Sequence, residues 1–291
     1  MTPDVHCYET PRAMLGEGPL WDVERACLNW LDAAEKLLFT LDPATGAVGS
    51  IELLHYPGCY AFRTDGSMIM AYRNQLAIID GDAANGRQLA TPGVDFAIER
   101  FNDGACDRAG RFWIGTMDRK LKDPVGALFR LDPDRSLTRM VGELTASNGI
   151  AFSPDDRIMY HTDTGAALIY ACDFDIDTGA IANRRIFADF TAWRGRPDGC
   201  TIDAEGCVWA AAIGAGEVVR IDSSGRRIAA IPLPVSRPTS VMFGGNDLST
   251  LFITSMQHGL SPEELAAQPQ AGCLFAVGVD VPGLPEPRFA G

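Results

Sequence analysis

The sequence holds no Cys-x-x-Cys pair and no His-x-x-x-His or His-x-His spacing, which excludes zinc-finger and zincin-type centres. It has no Gly-x-Ser-x-Gly nucleophile elbow and no phosphate loop. No apolar run approaches the roughly 20 residues of a membrane-spanning helix. The first thirty residues carry Asp4, Glu9, Arg12, Glu17 and Asp22, with no run of signal-peptide type. These absences, with no nucleic acid or membrane as partner, predict a soluble cytoplasmic protein. Basic residues are in deficit: Lys and Arg total 25 against 38 Asp and Glu, a net charge of −13. Nucleic acid and anionic membrane surfaces are thereby excluded as main partners. Linkers and low-complexity stretches are missing too. Helix is scarce, and the one convincing segment is Ser261–Gln268, with Ser at the N-cap, Pro at N1 and acids in the first turn.

What is present is turn-rich and apolar. The 291 residues include 30 Gly and 18 Pro spread along the chain, and 46% are hydrophobic. Six times a short apolar strand meets a polar turn and then a strand rich in aromatic or β-branched residues. The turns begin at Asp22, Thr64, Asp107, Ser153, Asp203 and Gly244. A recurrence of about 40 to 50 residues is the period of four-stranded propeller blades. The expected fold is all-β, a six-bladed β-propeller with four-stranded antiparallel blades around a central channel, and one domain over 1–291. The leading strand around Val5-His6-Cys7-Tyr8 is expected to join the last blade, around Gly272 to Val277, and leave no open edge. Eight cysteines without metal spacing, several inside apolar strand patterns, read as buried reduced thiols.

Against this background, four segments place a carboxylate or amide beside a glycine just before a predicted strand. They are Gly16-Glu17-Gly18, Asn102-Asp103-Gly104, Asn148-Gly149 and Pro197-Asp198-Gly199. A lone Pro-Asp-Gly reads first as a turn. In a propeller, however, the entrances to inner strands surface at one end of the channel. Glu17, Asn102, Asn148 and Asp198 then form an all-oxygen set suited to a hard divalent cation. Without a cation, two unpaired carboxylates packed together repel. His161, in Tyr160-His161-Thr162-Asp163, reads as a hydrogen-bonded strand residue.

With these motifs in this order, nearly the whole chain resembles the regucalcin, or senescence marker protein-30, and gluconolactonase family of six-bladed propellers. The likeness rests on Gly16 to Trp21, Arg100 to Gly104, Gly115-Thr116-Met117, Ser147-Asn148-Gly149, Pro197-Asp198-Gly199 and Asp203 to Gly206. Asn183 to Arg185, Phe243 to Gly245 and Gly272 to Val277 also fit. The resemblance implies one divalent ion (Ca, Zn, Mn, Mg or Fe(II)) held by Glu17, Asn148 and Asp198, with Asp198 also the catalytic base. It further implies that Arg100 and Asn102 bind the hydroxyls of a sugar lactone. One position departs from the family pattern. Relatives often carry a substrate-facing Glu four residues before the glycine that is here Gly126, where this chain has Lys122 and then Asp123. The segment 118–125 is expected to be a lid, with Lys122 a substrate-binding residue.

The implied activity is hydrolysis of an aldonolactone, such as a glucono-, xylono-, arabinono- or galactonolactone, to the open aldonic acid. The expected state is a monomer or weak homo-oligomer. Two alternatives stand beside it: a metal-dependent esterase or phosphotriesterase on the same fold, and a non-catalytic calcium-binding regulator or interaction propeller. Interaction propellers carry Trp-Asp and Gly-His marks in register, and this chain lacks them.

Overall fold

The computed structural model describes residues 4–80, 86–91 and 93–291, so the expectation of one domain over 1–291 includes positions outside the described residues. The chain forms six four-stranded antiparallel sheets, the architecture of a six-bladed β-propeller. In five blades the strands follow one another in chain order, as a meander. The sixth is completed by the leading strand, whose His6 and Cys7 pair with Ala276 and Phe275 of the last strand. The closure expected from the sequence is thus present, and the last strand is paired on both sides.

Contacts divide the chain into two compact units, Met1–Glu52 with Phe190–Pro285, and Leu53–Asp189 with Glu286–Gly291. The first contains blades one, five and six, and the second contains blades two, three and four. Hydrophobic clusters lie between neighbouring blades. In the second unit, Trp113 and Leu128 of blade three meet Ile150, Phe152 and Phe174 of blade four. In the first, Trp21 and Trp30 of blade one meet Met242 and Phe252 of blade six. Burial falls across each blade. In blade three the strand Phe112–Asp118 is wholly buried, while the outer strand Leu137–Leu144 is largely half-buried or exposed. The outer strands therefore carry charge, and the inner ones carry the aromatic and β-branched residues that made the period visible.

The recurring turns are set by local chemistry. Asp107 accepts the amides of Ala109 and Arg111, both at 3.0 Å, and Gly110 turns the chain at φ +79°. Asp203 accepts the amides of Glu205 and Cys207, with Gly206 at φ +82°. Only glycine adopts such angles without steric cost. The same carboxylates then reach the next strand: Asp107 takes Trp113 Nε1 at 2.9 Å, and Asp203 takes Trp209 Nε1 at 2.9 Å. The one α-helix among the described residues, Pro262–Ala267, begins at Ser261 with a full capping box to Glu264.

The C-terminal segment belongs to the second unit. Gly291 O accepts Arg63 Nε at 2.6 Å, and Ala290 N donates to Gly110 O at 3.0 Å. Burial there pushes the Glu286 carboxyl up to about 7 from its ordinary 4.5, against the opposing pull of Arg108. A raised carboxyl favours the fold below its unfolded value, and that contribution is lost as pH rises through the folded one. Glu286→Gln should therefore match the parent in thermal unfolding near pH 4. It should exceed the parent by roughly a few degrees above pH 7. Melting curves that stay parallel from pH 4 to 8 would show that this carboxyl is not desolvated in the fold.

Candidate active site

Glu17, Asn102, Asn148 and Asp198 do not sit on loops ahead of the strands, as the sequence suggested. They lie within the innermost strands, at β-bulges, with Arg100 just before one, while Lys122 does stand on a loop. All six inner strands break register with their partner: Glu17/Leu20, Pro57/Cys59, Phe101/Gly104, Asn148/Ile150, Pro197/Cys200 and Pro238/Ser240. A bulge adds an unpaired residue and re-aims its side chain, and bulges concentrate beside active sites. Proline donates no ladder bond and glycine adapts, so the Pro and Gly that looked like turn residues mark these bulges instead.

Four of the six bulges carry the oxygen-bearing residues expected from the sequence. In the first unit they are Glu17, half-buried, and Asp198, 6% exposed. Gly199 beside Asp198 lies against the inner strand of blade six, where an added Cβ would stand 2.5 Å from Ser240 Cβ. No larger residue fits without moving that strand, so the tight approach expected of this glycine is real.

In the second unit the side chains form one connected line. Arg100 Nη1 donates to Asn102 Oδ1 at 3.0 Å. Asn102 Nδ2 donates to Asn148 Oδ1 at 2.6 Å and to Ser147 O at 3.1 Å. Asn148 Nδ2 donates to Thr164 Oγ1 at 2.8 Å. The Asn148 amide is thereby fixed, and its oxygen retains a second lone pair for another partner. The structure thus joins Arg100, Asn102 and Asn148, and places Glu17 and Asp198 at corresponding bulges of the other unit.

Asp103, next to Asn102, has a role that the sequence hid. Its Oδ1 accepts Gly104 N and its Oδ2 accepts Gly149 N, each at 2.8 Å. One buried carboxylate thus ties the bulge of blade three to that of blade four. Burial pushes it up to about 6, and the two amides pull it back. The Asp-Gly spacing in Asn102-Asp103-Gly104 was the available signal, but its long-range partner was not visible. Thr164 was missed altogether.

Lys122 lies on an exposed loop that leaves the strand Phe112–Asp118. The last residue of that strand, Asp118, pairs with Glu99, one position before Arg100. The loop has an ordered backbone. Asp118 accepts the amides of Lys120, Lys122 and Asp123 at 3.1, 2.7 and 2.8 Å. Those amides, Asp123 first, hold its carboxyl below the usual range.

His161 differs from expectation. It is fully buried and stacks on Tyr170 at 5.2 Å, but neither ring nitrogen has a hydrogen-bond partner among the described residues. Burial, aided by the charge of Arg184, pushes it down to about 3, so it is neutral at ordinary pH. The cysteines match their reading. All eight are free thiols, and all but the half-buried Cys7 are buried. No helix among the described residues is long and apolar enough to cross a membrane.

Residues 15–257 match the SMP-30/Gluconolactonase/LRE-like region, and the chain belongs to that family. It is similar, at 39% identity over 100% of both chains, to a 6-deoxy-6-sulfogluconolactonase of Pseudomonas putida. It is 36% identical to a regucalcin of Danio rerio, over 99% of this chain and 98% of the other. Among solved structures, a calcium-binding regucalcin of Agrobacterium tumefaciens superposes with a TM-score of 0.92 at 30% identity, covering 99% of this chain and 98% of that one.

Proposed function

We propose that the protein is a metal-dependent sugar lactonase, a hydrolase of cyclic carboxylic esters. The observation that carries this reading is the placement of Glu17, Asn102, Asn148 and Asp198 at equivalent bulges of four inner strands. Family membership, with relatives named for gluconolactone chemistry, supports it.

The donor chemistry fits a hard divalent cation. Glu17 and Asp198 supply carboxylate oxygens, and Asn148 supplies an amide oxygen already oriented by Asn102 and Thr164. Among the described residues no group of three or more His, Cys, Asp or Glu is placed to hold a metal, so a soft or imidazole-rich centre is not offered in its stead. A bound cation supplies Lewis-acid polarisation of the ester carbonyl.

The chain's own residues supply the rest. Asp198 takes a proton from the attacking water as the water oxygen bonds to the carbonyl carbon. The bond from that carbon to the ring oxygen then breaks, and the ring oxygen takes up the proton. The product is the open aldonic acid. Arg100 presents guanidinium donors to the sugar hydroxyls, and Asn102, whose two N–H groups are taken by Asn148 and Ser147, presents its amide oxygen to them.

Proton release from D-glucono-δ-lactone, corrected for spontaneous opening, tests the reading. The expected result is acceleration that a chelator abolishes and a divalent ion restores. Acceleration that survives chelation, with metal loss verified by elemental analysis, removes the cation from the proposal. Bound cation with no acceleration of any aldonolactone leaves a non-catalytic cation binder.

A further inference from the structure

The chain has three lysines, Lys36, Lys120 and Lys122, and two of them stand in the loop beside the candidate site. Both are exposed, and neither forms a salt bridge among the described residues, whereas Arg111, Arg185 and Arg227 are each paired with a carboxylate. Asp118, kept ionised by backbone amides of the same loop, feels the charge of Lys120 but forms no salt bridge with either lysine. The loop that bears these lysines leaves the strand paired with the one that carries Arg100.

Two guanidinium groups meet at one tyrosine. Those of Arg73 and Arg100 lie 5.8 and 5.5 Å from the centre of the Tyr56 ring. Arg73 Nε is buried and has no hydrogen-bond partner among the described residues. An unsatisfied buried donor is costly, and an anionic acceptor would relieve it. In a chain of net charge −13, this concentration of cations is against the general field.

We propose that Arg73, Arg100, Lys120 and Lys122 receive an anionic group, a sulfonate or phosphate, carried at the end of the sugar lactone remote from its carbonyl. The proposal rests on the lactonase reading. The hydrogen-bonded line Asn148–Asn102–Arg100 starts at a proposed cation ligand and ends on the strand paired with the one that leads into the lysine loop, and in this proposal the substrate carbonyl is at Asn148 and its tail at that other end. Tetrahedral oxyanions accept both the forked guanidinium donors and the point charge of an ammonium. Replacing the family's Glu by Lys122 converts a group that accepts hydroxyl hydrogens into one that attracts negative charge.

The experiment measures calorimetric binding of three non-hydrolysable ring sugars: glucose, 6-deoxy-6-sulfoglucose and glucose 6-phosphate. At least one of the anionic sugars should bind roughly tenfold or more tighter than glucose. That ratio should fall by about tenfold in Lys120→Gln/Lys122→Gln, fall in Arg73→Met, and weaken with added salt. Equal binding of all three sugars, or a ratio unchanged in both variants, overturns the proposal. Turnover of gluconolactone and 6-deoxy-6-sulfogluconolactone separates the two readings. Preference for an anionic sugar with neither lactone hydrolysed sinks the lactonase and upholds the anion site. Hydrolysis of gluconolactone without any anionic preference upholds the lactonase and sinks the anion site.

Discussion

Asp198→Asn is expected to lower lactone turnover by roughly 10²–10⁴ at saturating cation, the usual worth of a positioned general base. Asn keeps the size of Asp and one oxygen donor, but it loses the charge and the basicity. The site tolerates little change of shape, because Asp198 is 6% exposed and its neighbour Gly199 abuts Ser240. The isosteric variant is therefore the informative one. Glu17→Gln is the matched control, since it removes one charge from the proposed cation ligands without touching the proposed base. Both variants should bind the cation more weakly, because a hard ion prefers carboxylate oxygen. Only Asp198→Asn should remain slow once occupancy, measured directly, is complete. Equal losses in kcat at full occupancy would reduce Asp198 to a ligand. Asp103 is a poor replacement base, since both its oxygens already accept backbone amides that hold two bulges in place.

The second large effect concerns stability. Asp107 is fully buried and accepts Arg111 Nε at 2.6 Å, Trp113 Nε1 at 2.9 Å and two backbone amides. Asp107→Ala leaves the Arg111 charge, 6% exposed, without its carboxylate, and leaves an indole N–H without its acceptor. Breaking a buried ion pair from one side costs about 3–5 kcal/mol. For a chain of this size that is roughly 10 °C in Tm. Asp173→Ala supplies the contrast. It removes an ion pair with Arg185 in which both side chains are 48% exposed, and exposed pairs contribute at most about 1 kcal/mol. Calorimetric scans of the two variants should differ by most of the first effect. Similar melting temperatures would mean that the buried network contributes no more than a surface pair.

The propeller was legible because its period is written in local chemistry. A turn aspartate bonds amides two and four residues on, and its glycine supplies a positive φ three residues on. Both halves of that interaction are in one short stretch, as in Asp107 to Arg111 and Asp203 to Cys207. The helix cap at Ser261 was legible for the same reason. The residue types at Glu17, Asn102, Asn148 and Asp198 also pointed to oxygen-donor chemistry before any geometry was known.

What only the tertiary structure decided is where those side chains sit and what they meet. A bulge is a mismatch between two strands, so neither strand alone announces it, and Pro197-Asp198-Gly199 read as a turn rather than as strand interior. Asp103 finds Gly149, 46 residues away, and Asn102 finds Asn148 across the same blade boundary. Arg73 and Arg100 come to one tyrosine from separate blades. His161 looked hydrogen-bonded by its polar neighbours, yet packing buries it against the Tyr170 ring and leaves both nitrogens without a partner among the described residues. Hydrogen bonds within four residues are determined by chain geometry that a sequence carries. Contacts between blades depend on register and twist, to which every strand of the sheet contributes.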